Sequence, residues 1–180
     1  KWSLYPMGPE LRGLLKLPEL SKDKLQNNIS DELKEEFSNY LVEKINHFSL
    51  ISTDQLTIVM EETLLMDLPH ACYKFYESFP NYHENSSFKQ NLIFGVAALK
   101  VGTGAQAELA LIKAKALEPK EIASYINLII IYIREARLDE AWKLSLEALS
   151  FSKNEAQIWE LICVQLGEKK LPITSELEKL

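Results

Sequence analysis

Apolar residues recur along most of this chain at spacings of three and four, the signature of helices with one buried face. Leu33, Phe37, Leu41, Ile45 and Phe48 form one such stripe, with Ser30 placed to cap a helix over 31–48. Leu56, Val59, Met60 and Leu64 form a second, behind Thr53 as the expected cap. In "DLPHACYKFYESFP", Pro69 suits a first turn and Pro80 a stop. Residues 80–87, "PNYHENSS", are predicted to be a loop that ends in another cap, Ser87. One stretch resists this pattern. "INLIIIYI", residues 126–133, is apolar nearly throughout and rich in β-branched isoleucine, as a buried strand would be.

A longer period resolves it. Shifted by 34 residues, Phe94 falls on Leu128 and Leu128 on Ile162. Tyr125 falls on Trp159, Ala107 on Ala141, Ala114 on Ala148, and Leu117 on Phe151. Such a period belongs to helix-turn-helix units that bury their faces against one another. A helix inside such a stack meets little water and is apolar almost all round. "INLIIIYI" is therefore predicted to be a buried helix, its β-branched cost overridden by packing.

Unit 122–155 resembles a tetratricopeptide repeat. Tyr125, Leu128 and Tyr132 fall at the large places of helix A, and Ala141 and Ala148 at the small places of helix B. "ARLDEA" makes the turn, while Ile129, Ser145 and Lys153 depart from the family's pattern. Unit 88–121 matches through Phe94, Gly95, Ala107, Ala114 and Pro119 and departs at Asn91, Ala98 and Leu111. Residues 156–180 start a further unit with Trp159 and Ile162, then lose the pattern. Pro172 would interrupt its second helix, so a half-repeat with a capping helix is expected. Residues 30–87 are taken as degenerate helices, with Ala71 and Phe75 of 53–79 near helix B places. The resemblance implies an all-α fold over residues 30–180, a right-handed superhelical stack of helix-turn-helix repeats.

Residues 1–29 differ in kind and are assigned as an arm and linker. Pro6, Pro9 and Pro18 leave room for a short helix, about 9–16, with Leu11, Leu14 and Leu15 on one side. With Trp2 added, the arm is expected to be either disordered or docked, on the chain's own groove or on a second copy as a homodimer.

Charge and motifs narrow the function. Twenty basic against 26 acidic side chains give a net charge of −6, which argues against general affinity for nucleic acid or an anionic membrane. No apolar run reaches the roughly 18 residues of a membrane helix, and no signal-peptide pattern opens the chain. A cytoplasmic location is expected. Because the chain opens on Lys1 and not methionine, an upstream segment is expected to have been removed. Cys72 and Cys163 fall in apolar helical patterns and are expected to be packing thiols. His47, His70 and His83 lack metal-ligand spacing, and "GTG" at 102–104 is placed as a turn. Glu61 and Glu62 diverge on a helix and are expected to be solvated. No zinc-protease, phosphate-loop or nucleophile-elbow motif occurs. No cofactor, metal or catalytic residue is expected.

Binding then becomes the expected role. Carried over from the family, the groove-facing places of helix A are Lys89, Leu92, Ile93, Val96, Leu99 and Lys100 in one repeat. In the next they are Ala123, Ile126, Asn127, Ile130, Ile133 and Arg134. The predicted groove for a protein or peptide segment consists of Lys89, Leu92, Val96, Lys100, Ile126, Asn127, Ile130, Ile133 and Arg134. It has an apolar centre and a charged rim, with Val96 and Ile126 expected to be open and Ile130 shared with the core. Family members that hold chaperone C-termini use a carboxylate clamp. Here Lys89 and Asn127 fit it, but Ile93 and Leu161 replace polar members. Arg137, Asp139, Glu140, Lys143 and Glu147 on helix B are expected to be solvated. The leading expectation is a non-catalytic protein–protein interaction adaptor. Two alternatives stay open: a chaperone similar in architecture to those of type III secretion translocators or effectors, and a regulatory domain of a larger enzyme.

Overall fold

A computed structural model describes residues 8–16, 30–45, 51–80 and 83–169, and every regular element among them is an α-helix. Trp2, His47, Phe48 and Pro172 lie outside the described residues. The helices group into two compact units, Lys1–Thr103 and Gly104–Leu180. The division falls inside the period 88–121.

The first unit holds α1 (Pro9–Leu14), α2 (Asp31–Lys44), α3 (Thr53–Leu65), α4 (Pro69–Ser78) and α5 (Phe88–Val101). Their starts follow capping chemistry. Ser30 accepts the Leu33 N–H at the head of α2. Ser52, not Thr53, caps α3 and forms a capping box with Gln55; Ser87 and Gln90 repeat that box on α5. Pro69 opens α4, where its missing N–H costs nothing. Helix α3 packs on α4 and α5, α2 on α4, and α1 on α3. Phe37, Leu41, Leu56, Met60 and Phe75 are essentially removed from water.

The second unit holds α6 (Gly104–Leu117), α7 (Ile122–Arg134), α8 (Leu138–Phe151) and α9 (Ala156–Lys169). Helix α7 packs against α6, α8 and α9. "INLIIIYI" lies within it, and Leu128, Ile129 and Ile131 are each no more than 1% exposed. Enclosure by three helices outweighs the strand preference of isoleucine. Ala107, Ala114, Ala141 and Ala148 are fully buried, as the close-approach places of helix B require.

One turn recurs three times. Asp67, Gly102 and Ala136 each adopt a left-handed backbone, with φ of 58°, 87° and 58°. After each, an amide reaches five residues back: Leu68 to Thr63 (2.9 Å), Thr103 to Ala98 (2.9 Å) and Arg137 to Tyr132 (2.8 Å). This is the Schellman ending of a helix. It sets the repeat register from the backbone, at steps of 35 and then 34 residues. Val59, Phe94, Leu128 and Ile162 then share one place, and all are buried. The register also corrects an expectation: buried Cys72, not Ala71, stands in the place of Ala107 and Ala141.

Only glycine adopts a left-handed backbone without cost, and no atom lies within 4 Å of a Cβ built at Gly102. Gly102→Ala should therefore lose about 1 kcal/mol through backbone conformation alone. Ala136→Gly should gain up to about 1 kcal/mol by relieving the same strain. Urea unfolding of the pair, moving in opposite directions, checks the turn assignment.

Candidate functional site

In the first unit α3 and α5 lie side by side and parallel. Near their starts the Gln90 side-chain amide donates to the Thr53 carbonyl (3.2 Å). At their ends the Lys100 ammonium meets the Asp67 carboxylate (3.0 Å). Lys89 meets Glu61 across the same pair (2.6 Å). Between the two lysines, Leu92, Val96 and Leu99 follow one face of α5 at helical spacing, each half-buried. On α3, Ile58 and Leu65 are exposed, the latter 81%. The outcome is an open aliphatic stripe whose flanking cations are held by neighbouring carboxylates.

Helix α7 of the second unit carries the other predicted residues. Ile130 and Ile133 are half-buried and Arg134 is exposed. The half-buried Asn127 donates to the Ala123 carbonyl of its own helix (2.8 Å). Ile126, expected to be open, is only 8% exposed and belongs to the core, whereas Ile130 is the more accessible. Ile93 is likewise buried. The predicted positions thus form two stripes, each a surface of its own unit.

Several contacts were not foreseen. The Asp67 carboxylate also meets Lys34 of α2 at 3.0 Å. Its hydrogen bonds to Lys100 and Lys34 hold its pKa below the usual range. Glu62, expected to be solvated, instead receives the N–H groups of Leu11 (2.9 Å) and Glu10 (3.3 Å), so it anchors the start of α1. Gln55 completes the joint by donating to Glu10 (2.9 Å). Leu11 is fully buried, and a Cβ at Gly8 would run into the Glu62 side chain. The described part of the arm is docked on its own chain.

In the second unit Arg137 was also expected to be solvated. Its guanidinium grips both Glu108 oxygens (2.8 and 2.9 Å), reaches Glu140 (3.0 Å), and lies 4.2 Å from the Tyr132 ring centre. Glu147 meets Lys115 (2.8 Å) and the Tyr125 hydroxyl (2.9 Å). Burial, helped by Glu147, pushes the Tyr125 pKa up to about 12. These two exterior charges tie α6 to the helices that follow it.

Burial pushes the Cys72 thiol to about 12, leaving it a packing group. Cys163, expected to pack as well, is exposed. His83 stacks on Tyr76 at 4.1 Å, and His70 is exposed. Among the described residues no group of three or more His, Cys, Asp or Glu is placed to hold a metal ion. No helix among them is long and apolar enough to cross a membrane.

No protein-family model and no curated protein sequence matches the chain. Among solved structures, it is similar to one described as the crystal structure of MamA, with 17% sequence identity and a TM-score of 0.64. The match covers 80% of this chain and 87% of that one. The fold is a tetratricopeptide-type helical repeat. At this identity the likeness is one of fold alone. Within the repeat register α3, α5 and α7 are A helices, and α4, α6 and α8 are B helices.

The joint between α1 and α3 generates a pH prediction. Burial raises the Glu62 pKa above its ordinary 4.5, outweighing the two N–H donors. The docked state therefore binds a proton more tightly than the undocked one. Docking should be firmest below about pH 4.5 and weaken as pH rises through the raised value. Hydrogen exchange at the Leu11 amide, corrected for its intrinsic rate, should quicken over that window in the native chain and stay level in Glu62→Gln. Unchanged protection in Glu62→Leu would contradict the joint.

Proposed function

We propose that this protein is a non-catalytic scaffold that holds an apolar segment of a partner protein on the solvent-facing stripe of an A helix. The observation that carries this reading is the half-open stripe Leu92–Val96–Leu99 on α5, bounded by Lys89 and Lys100. Four-residue and three-residue steps present these side chains in a row. A bound segment would remove them from water while the lysines stay at the rim. Ile130 and Ile133 with Arg134 give α7 a stripe of the same composition. A stripe of this kind, half-open on a helical-repeat fold, suits a protein ligand better than a small substrate, because it offers length and not enclosure.

Peptides selected from a random library on the purified protein should carry an apolar consensus. Changing Leu92 and Val96 together to Asp should weaken their binding more than about tenfold, because each carboxylate would have to be buried against the peptide. Circular dichroism should stay near that of the parent protein, since both positions are only half-buried. Peptides that bind the folded double variant as well as the parent would remove α5 from the binding surface.

A further inference from the structure

A second feature of the first unit lies away from the α5 stripe. A cleft of about 410 Å³ opens between α2 and the turn from α3 to α4. Its walls include Lys34, Ser38 and Asn39 of α2, and Asp67, Leu68, Pro69 and His70 at the head of α4. Two independent features of these walls ask for a hydrogen-bonding guest.

The first is the α4 N-terminus. Its N-cap residue is Leu68, and no side chain caps it. Pro69 brings no N–H, and the Cys72 N–H is the first to find a helical carbonyl, that of Leu68. The N–H groups of His70 and Ala71 are left as donors without helical partners, at the positive end of the helix. The starts of α2, α3 and α5 use a serine for that purpose, and that of α1 uses the Glu62 carboxylate.

The second is Ser38. It is only 6% exposed, and its hydroxyl has no hydrogen-bond partner. A helical serine or threonine ordinarily bonds the carbonyl four residues back. Thr57, Thr63 and Ser145 of this chain all do so. Ser38 and Ser124 do not, and of the two it is Ser38 that is among the residues lining the cleft. A buried hydroxyl left unbonded costs free energy that a guest would recover.

We propose that this cleft binds a carboxylate, one oxygen on the His70 amide at the α4 start and the other on the Ser38 hydroxyl. All the groups waiting for partners are able to donate, so the guest must accept. The charges nearby select the ion. Lys34 on the cleft wall sits between Asp67 (3.0 Å) and Asp31 (3.5 Å), so its charge is offset and the donors, not a free cation, hold the guest. Asp67 and Glu35 also line the cleft and oppose a doubly charged phosphate. The carboxylate belongs to a peptide, as an acidic side chain or as a chain end, and the two sources share the same chemistry. This site and the α5 stripe rest on different residues, so either assignment can fail alone.

Titration followed by the amide resonances of His70 and Ala71 tests the proposal with three probes. N-acetyl-glutamate α-amide offers a side-chain carboxylate, N-acetyl-alanine a chain end, and N-acetyl-glutamine α-amide is the uncharged control. One or both acids should shift the two resonances saturably, and the tighter acid names the source. The control should bind about tenfold more weakly, as expected on losing a charge-assisted bond. Ser38→Ala removes a single unbonded oxygen and should leave the fold intact while weakening the acid about tenfold. Inorganic phosphate should bind more weakly than the acid. The proposal is overturned if neither acid shifts these resonances, if the control or phosphate binds as well, or if Ser38→Ala binds unchanged.

Discussion

The structure depends on how closely helix backbones approach one another at the small places of each repeat. Ala107, Ala114, Ala141 and Ala148 have no exposed surface, and Cys72 takes the equivalent place one period earlier. A side chain no larger than a methyl or thiol lets neighbouring helices come near enough to enclose α7 from three sides. That enclosure is what makes an isoleucine-rich segment helical. If the approach were looser, Leu128, Ile129 and Ile131 would lose their contacts and the segment's strand preference would count again.

Polar contacts set how the helices align once they are packed. Asp67 joins two lysines from different helices, Glu62 holds the α1 start, and Arg137 grips Glu108 with its full fork. Such partly exposed pairs add little stability each, but their geometry admits few alternatives. They use charged groups that would otherwise be free for a ligand. Lys89 and Lys100, placed at the rim by the sequence pattern, are therefore less available than their charge implies. The first unit then offers an open aliphatic stripe and unfilled donors at the head of α4.

Much of the fold was legible because a stacked repeat writes its packing into the sequence at a fixed step. Phe94, Leu128 and Ile162 revealed that step, and Val59 joins them in the structure. The first pair, α3 and α4, was harder because its turn lies 35 residues before the next and not 34. That one-residue difference shifted the small place from Ala71 to Cys72. The family's groove places, carried over to α7, did not say which neighbours cover them here, so Ile126 was expected to be open and is buried. The unforeseen polar contacts join residues far apart in sequence: 33 apart for Lys34 and Asp67, 51 for Leu11 and Glu62, 29 for Arg137 and Glu108. No local pattern carries such partners. Ser38 was invisible for a similar reason, since an unbonded hydroxyl is defined only by what surrounds it.

The central claim is that close approach at the small places holds the repeat together, and Ala148→Leu tests it most directly. Ala148 is 0% exposed, so three added carbons have nowhere to go without separating α8 from its neighbours. The account predicts a loss of roughly 1–3 kcal/mol in urea unfolding, with faster amide exchange along the middle of α7. A variant as stable as the parent, with α7 equally protected, would contradict it.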